Sequence, residues 1–242
     1  NKIYCIGGDV GTYKPVPTGI VEVYDPATDT WETKTSMPTA RYDLTANVVK
    51  DKIYLIGGFD FIGPYSLNIT EVYNPEIDTW TTKAQMPVGV MSHSSAVVND
   101  KIYVLAGRVY TDTSGYDCNF TQIYDAAIDT WIFGSQIPKA VTYAAAAATT
   151  GTNAPKLIYV IGGRQELDAF NFVQIYNPST NSWSAATSMP TARCRLAVAN
   201  INNQLYAIGG LTGWFEELTA ANEQFTPKDY QISSDFPLLA IL

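Results

Sequence analysis

The chain has 242 residues, 46% hydrophobic and only 16% charged, and its 15 Lys and Arg against 23 Asp and Glu leave a net charge of −8. That is enough apolar material for one large all-β domain or two smaller ones, and the low charge fraction argues against a helical or disordered chain. No cluster of Lys and Arg offers a phosphate-binding footprint, so nucleic acid is not an expected partner, and the longest apolar runs fall far short of the roughly 18 residues needed to span a bilayer.

Residues 2–8, KIYCIGG, read as a strand closing on two glycines, with Cys5 expected to be a small buried hydrophobe. A variable stretch, DVGTYKPVPTG, leads to VYDPATDTW at 23–31. There Pro26 presets φ and Asp25 can accept a bond from the backbone ahead, which makes a tight turn between two short strands. MPTAR follows at 37–41, then the small-residue run LTANVV at 44–49, and at 52–58 KIYLIGG starts the cycle again. Later copies are KIYVLAG, LIYVIGG and QLYAIGG for the glycine strand, and VYNPEIDTW, IYDAAIDTW and IYNPSTNSW for the turn. The closing glycines Gly8, Gly58, Gly107, Gly163 and Gly210 stand 50, 49, 56 and 47 residues apart.

Each unit therefore holds four short strands: A from the small-residue run, B ending in glycine, C ending in Tyr, and D carrying Trp. Apolar and β-branched residues dominate them, and Gly, Pro, Asn and Asp punctuate. Four-stranded units at this period predict a β-propeller. The run AAAAA at 144–148 is the best helix former in the chain, yet it occupies the strand A slot and is expected to be an innermost strand. Trp31, Trp80, Trp131 and Trp183 are expected to fill the wedge between blades, each worth roughly 3–5 kcal/mol on truncation. The glycines are expected where strand B leaves the sheet at positive φ; Ala106 replaces the first of the pair once.

An apolar strand ending in Gly-Gly, Tyr and Trp seven residues apart, and M-P-x-x-R, in that order and over nearly the whole chain, resemble the Kelch repeat. The resemblance implies an all-β propeller of four-stranded antiparallel blades; counting the repeats in this chain gives one domain of five, fewer than the six or seven usual for Kelch propellers: 1–34 with 236–242, 42–84, 91–134, 141–186 and 194–233. In that scheme the apolar run FPLLAIL at 236–242 supplies the missing inner strand of the first blade and closes the ring, since an open edge invites aggregation. A six-bladed ring with one segment missing is the alternative. Extra domains of the kind eukaryotic Kelch adaptors carry are not visible. The spellings YDPATDTW and MPTAR resemble prokaryotic Kelch proteins, many of them exported, so an extracellular or cell-surface location is the expectation. The chain opens on Asn1 rather than Met, compatible with a start or signal peptide having been removed or left out.

The B–C loops are long and unlike one another, whereas the C–D turns are short and nearly identical. Variable loops with exposed aromatics on one face of a regular scaffold suit recognition. Tyr13, Phe59, Asp60, Tyr65, Arg108, Tyr110, Arg164, Glu166, Asp168, Trp214 and Phe215 are the candidate ligand-binding residues, for a protein or a glycan. Arg108 and Arg164 could hold an anion together or be paired with loop carboxylates such as Asp112 or Glu166. Arg41 and Arg193 belong to the repeat and are expected to brace the blade junction. His93, the one histidine, is expected to be a repeat residue, since its slot holds Leu44, Ala144 and Leu196 elsewhere. One histidine and three scattered cysteines give no metal centre and no cofactor is implied, which also departs from the copper oxidases built on Kelch-like propellers. Some bacterial Kelch propellers are sialic acid epimerases, so a sugar-modifying enzyme using loop carboxylates is an alternative, and a surface-display propeller without a discrete ligand is another. Asn68-Ile-Thr and Asn119-Phe-Thr spell glycosylation sequons beside that face.

Overall fold

The computed structural model describes residues 2–63, 65–112, 114–213 and 217–231. The expected closing run 236–242, with Trp214 and Phe215, lies outside them. The described residues build an all-β propeller of five blades and contain no helix. Blade 1 is β1 (Ile3–Ile6), β2 (Val21–Asp25) and β3 (Thr30–Lys34); blade 2 is β4 (Thr45–Val49), β5 (Lys52–Ile56), β6 (Thr70–Asn74) and β7 (Thr79–Thr82). Blade 3 contains β8 (Ser94–Val98), β9 (Lys101–Leu105), β12 (Thr121–Asp125) and β13 (Thr130–Phe133), with a loop hairpin of β10 (Arg108–Tyr110) and β11 (Gly115–Asp117). Blade 4 contains β14 (Ala145–Ala148), β15 (Ile158–Ile161), β18 (Val173–Asn177) and β19 (Ser182–Ala186), with a hairpin of β16 (Arg164–Gln165) and β17 (Asp168–Ala169). Blade 5 contains β20 (Ala197–Ile201), β21 (Gln204–Ile208) and β24 (Asn222–Phe225), with a hairpin of β22 (Leu211–Thr212) and β23 (Glu217–Leu218).

The alanine run is a strand as expected, Ala145–Ala148 pairing with Ile161–Ile158, because neighbouring inner strands leave room only for small side chains. The loop hairpins were not foreseen. They arise because pairing continues past the glycines, with bridges Met91–Arg108, Thr142–Arg164 and Cys194–Leu211 extending the A–B ladder. The glycine pair makes this possible. Its first position sits at φ 65° in Gly57 and 56° in Ala106, a left-handed conformation that a side chain can occupy. Its second sits at 100° in Gly58 and 102° in Gly107, where a Cβ is not tolerated, so only the second is Gly in every copy.

Each core lies between two blades. Strands β5, β9 and β15 are buried on both faces except at Lys52 and Lys101. The wedge residue is not the tryptophan, however. Tyr73, Tyr124 and Tyr176 are the fully buried rings, while Trp80, Trp131 and Trp183 are half-buried and stack on them at 5.0 Å. Each of these indoles donates Nε1–H across the junction, to the carbonyls of Thr35, Ala84 and Ser135. The turn aspartate completes the joint. Asp129 Oδ1 accepts from Tyr124 of its own blade and from the Ala84 amide of the preceding one, at 2.6 and 2.9 Å; Asp78 and Asn181 repeat this. Trp31, in the first blade, is 59% exposed.

Cys5 is likewise exposed, which corrects its expected burial. Its slot in the other blades, Leu55, Val104, Val160 and Ala207, is at most 3% exposed because each packs on the preceding blade, and no sheet among the described residues covers that face of blade 1.

Arg41 and Arg193 tie each incoming linker to the blade it enters. Arg41, fully buried, pairs with Glu71 on β6 and donates Nη2 to the Leu55 carbonyl at 3.1 Å. Arg193 pairs with Glu223 at 2.9 Å and donates to the Ala207 carbonyl at 3.0 Å. In blades 3 and 4 the same two slots hold Val90 with Gln122 and Val141 with Gln174, and each glutamine instead clasps a linker backbone. Gln122 accepts from the Val88 amide and donates to its carbonyl, at 2.8 and 2.9 Å; Gln174 does the same at Lys139.

Candidate binding site at the channel mouth

Four residues that the sequence reading did not single out organise the centre of the ring. Asp43, Ser92, Tyr143 and Arg195 each lie six residues after Met37, Met86, Ile137 and Met189. All four are left-handed, at φ 54, 52, 53 and 53°. That conformation is costly for a Tyr or an Arg, and in the last three it is held because the amide donates to the carbonyl one blade back. The chain of bonds runs Ser92 to Asp43, Tyr143 to Ser92 and Arg195 to Tyr143, at 3.0, 2.8 and 2.8 Å. Their side chains interlock as well. Ser92 Oγ and Tyr143 Oη both donate to Asp43 Oδ2, at 2.7 and 3.1 Å. The Tyr143 ring carries the Arg195 guanidinium at 4.2 Å and that of Arg164 at 4.8 Å. Burial, then Asp43, holds the Tyr143 phenol above its ordinary range.

Above this ring opens a cavity of about 600 Å³ lined by Asp9, Tyr42, Asp43, Phe59, Phe61, Met91, Tyr110, Tyr143 and Arg195, among others. Strand B–C loops and strand A approaches therefore meet around one cavity. One wall is aromatic: Phe61 stacks on Tyr42 at 5.5 Å, meets Phe59 edge-on at 4.9 Å, and Phe59 touches Tyr110 at 5.7 Å. Burial, with Asp43 nearby, pushes Tyr42 up to about 12, so its hydroxyl stays protonated at neutral pH. Acid lies on the side of blades 1 and 2, in Asp9 and Asp43, and the cation Arg195 opposite. Backbone bonds from Val16 and Gly11 hold the Asp9 carboxyl below its usual range.

Of the residues expected from sequence, Phe59 and Tyr110 line this cavity, and Phe59 does so from a mostly buried position at 8% exposure. Arg108 is ion-paired with Asp117 at 2.6 Å, not with Asp112, and lies over Tyr110. Tyr13 is fully exposed. Tyr13, Asp60, Tyr65, Arg108, Arg164, Glu166 and Asp168 do not line the cavity; several of them lace the rim. Tyr65 donates to Asp112 at 2.5 Å, and Ser66 Oγ donates to the Arg108 carbonyl while accepting from the Tyr110 amide. Asp117 Oδ2 accepts the Glu166 amide at 3.3 Å, and Asp60 the Ile62 amide at 3.0 Å. Successive loops are thus tied into one pre-organised rim, in which the Asp60, Asp112 and Asp117 carboxylates take part. Among the described residues, no three His, Cys, Asp or Glu side chains are grouped to hold a metal ion. The sequon asparagines, Asn68 and Asn119, abut Gln85 and Gln136 on the blade linkers.

His93 lies beneath the mouth rather than in it. It is buried between blades 2 and 3 with Nε2 at 2.9 Å from Thr45 Oγ1, and burial pushes it down to about 4 against a smaller pull from the Val90 carbonyl.

The fold and the repeat define a Kelch-type propeller. The KLHDC2/KLHL20/DRC7 Kelch-repeats domain matches residues 1–210, and the chain belongs to the Kelch-repeat family. It is 36% identical to Kelch-like protein 7 of Rattus norvegicus over 214 residues, 88% of this chain and 35% of that protein, with the same figures for the Mus musculus protein. The Influenza virus NS1A-binding protein of Homo sapiens is 35% identical over 77 residues, 32% of this chain and 12% of that protein. The chain thus spans about a third of the length of the Kelch-like 7 proteins. The solved structure of YjhT superposes with a TM-score of 0.80 at 15% identity, over 95% of this chain and 80% of that one. Among the described residues no helix is long and apolar enough to cross a membrane.

Proposed function

We propose that this propeller is a binding scaffold that takes an exposed segment of a partner protein into the channel mouth. The observation that carries this is the cavity of about 600 Å³ itself, lined by slots where the repeat varies and by an exposed aromatic wall. Phe61 and Tyr110 are 51% and 36% exposed, rigid aromatic surface of the kind that anchors interfaces. The laced rim means little ordering entropy is lost on binding. The human relative is by its name a protein that binds another protein, the influenza virus NS1A, which agrees with this reading. A glycan would use the same aromatic wall, and the screen below separates the two.

The test is a displayed-peptide library and a glycan array, each probed with the wild type and with Phe61→Ala/Tyr110→Ala. Peptide ligands that lose at least about tenfold in affinity, about 1.4 kcal/mol, with an unchanged unfolding midpoint are expected. Ligands retained in full by the double variant would remove the channel mouth as the site, and glycan hits alone would replace the protein partner.

A further inference from the structure

The rings at the channel mouth carry cations on one side and none on the other. Tyr110 carries the Arg108 guanidinium at 5.1 Å, and Tyr143 carries those of Arg195 and Arg164 at 4.2 and 4.8 Å. Over Tyr42, Phe59 and Phe61, on the side of blades 1 and 2, lies no Lys or Arg among the described residues. The two lining carboxylates are on that bare side. Burial raises the Tyr42 phenol, and the charges of Asp43 and Asp9 raise it further, so both lie near that ring. Each is oriented by two donors on a single oxygen. Asp9 Oδ1 accepts the Val16 and Gly11 amides at 2.7 and 2.8 Å, and Asp43 Oδ2 accepts the Ser92 and Tyr143 hydroxyls at 2.7 and 3.1 Å. The other oxygen of each has no hydrogen-bond partner, and neither carboxylate has an ion pair, among the described residues. Arg195, the only cation among the described lining residues, is held on Tyr143 and pairs with neither.

We infer that the acidic side of the channel mouth takes an arginine side chain of the partner segment, which donates to the Asp9 and Asp43 carboxylates and lies against the Phe61 and Tyr42 rings. The inference rests on the channel mouth being the binding site and adds the residue that the partner presents there. Two oriented carboxylates beside apolar rings attract a cation more strongly than they would in open water. Arginine fits better than lysine, because its flat guanidinium can stack on a ring while its in-plane donors reach more than one carboxylate, whereas an ammonium is a compact, strongly hydrated charge. Arg108, Arg164 and Arg195 already show guanidiniums on rings of the same mouth. The net charge of −8 also favours the approach of a basic segment.

The probes are peptides selected from the displayed library on the full 242-residue chain and filtered for dependence on Phe61 and Tyr110. They are expected to share an arginine. In a synthetic copy of one such peptide, replacing that arginine by citrulline, its neutral isostere, is expected to weaken binding about tenfold. Asp9→Asn keeps an oxygen for the Val16 and Gly11 amides, and Asp43→Asn keeps one for Ser92 and Tyr143, so each removes a charge and leaves the local bonds. Each variant is expected to weaken the arginine peptide about tenfold at an unchanged unfolding midpoint and to leave the citrulline peptide as it was. Salt gives a readout that needs no variant: in wild-type protein it is expected to weaken the arginine peptide and spare the citrulline one. Ligands that depend on Phe61 and Tyr110 but share no arginine, that bind equally well as citrulline forms, or that present a carboxylate whose contribution is lost in Arg195→Gln overturn this inference and leave the channel mouth as the site. A library that yields no ligand dependent on Phe61 and Tyr110 removes both.

Discussion

The paired slots at Arg41 and Glu71 allow the protein to be tested against itself. Arg41→Val leaves Glu71, 3% exposed, without its cation; Glu71→Gln leaves a fully buried guanidinium without its anion. Burial already works against the Arg41 charge and Glu71 restores it. Each single change should therefore cost about 3–5 kcal/mol, as expected when one member of a buried pair is removed. The double variant recreates the Val90 and Gln122 arrangement of blade 3, in which the amide side chain clasps the linker backbone at 2.8 and 2.9 Å. It should lie within about 1 kcal/mol of wild type, since a buried pair replaced by a well-packed, satisfied alternative is often neutral. The assay is urea unfolding followed by tryptophan fluorescence on all four proteins, giving the coupling energy of the cycle. Additive losses, with the double variant as unstable as the sum of the singles, would refute the claim that the two slots are alternative solutions to one joint.

His93 predicts a pH dependence of stability. Its folded value near 4 lies below the ordinary 6.5, so stability is full above about pH 6.5 and falls as pH drops towards 4, by about 3 kcal/mol at the limit. His93→Leu, the residue found in that slot in blades 2 and 5, should flatten the melting temperature between pH 6.5 and 4.5 relative to wild type; parallel curves would contradict this. The tryptophans should not be equivalent. Trp131→Ala loses the bond to Ala84 and the stack on Tyr124 and should cost roughly 2–3 kcal/mol, less than full burial would imply, while Trp31→Ala, 59% exposed, should cost under about 1. Denaturation midpoints of the two variants decide it.

The sequence by itself determined the architecture. Repetition does this cheaply: a strand that ends in two glycines and a turn that begins with Tyr-Asp-Pro can each be recognised wherever they recur, and their spacing counts the blades. The Asp25 turn, whose carboxylate accepts the Ala27 amide at 2.9 Å, follows from local rules, and the alanine strand follows from its slot in the repeat. What needed the tertiary structure was whatever depends on a neighbour from another repeat. Tyrosine rather than tryptophan fills the wedge because only the packed junction shows which ring faces the next sheet. Cys5 is exposed although its slot is apolar, because burial there comes from the preceding blade and not from the strand. The channel mouth was hidden most completely. Asp43, Ser92, Tyr143 and Arg195 have different chemistry and lie 49, 51 and 52 residues apart, so nothing local unites them; a shared left-handed backbone and a chain of amide bonds around the axis bring them to one place.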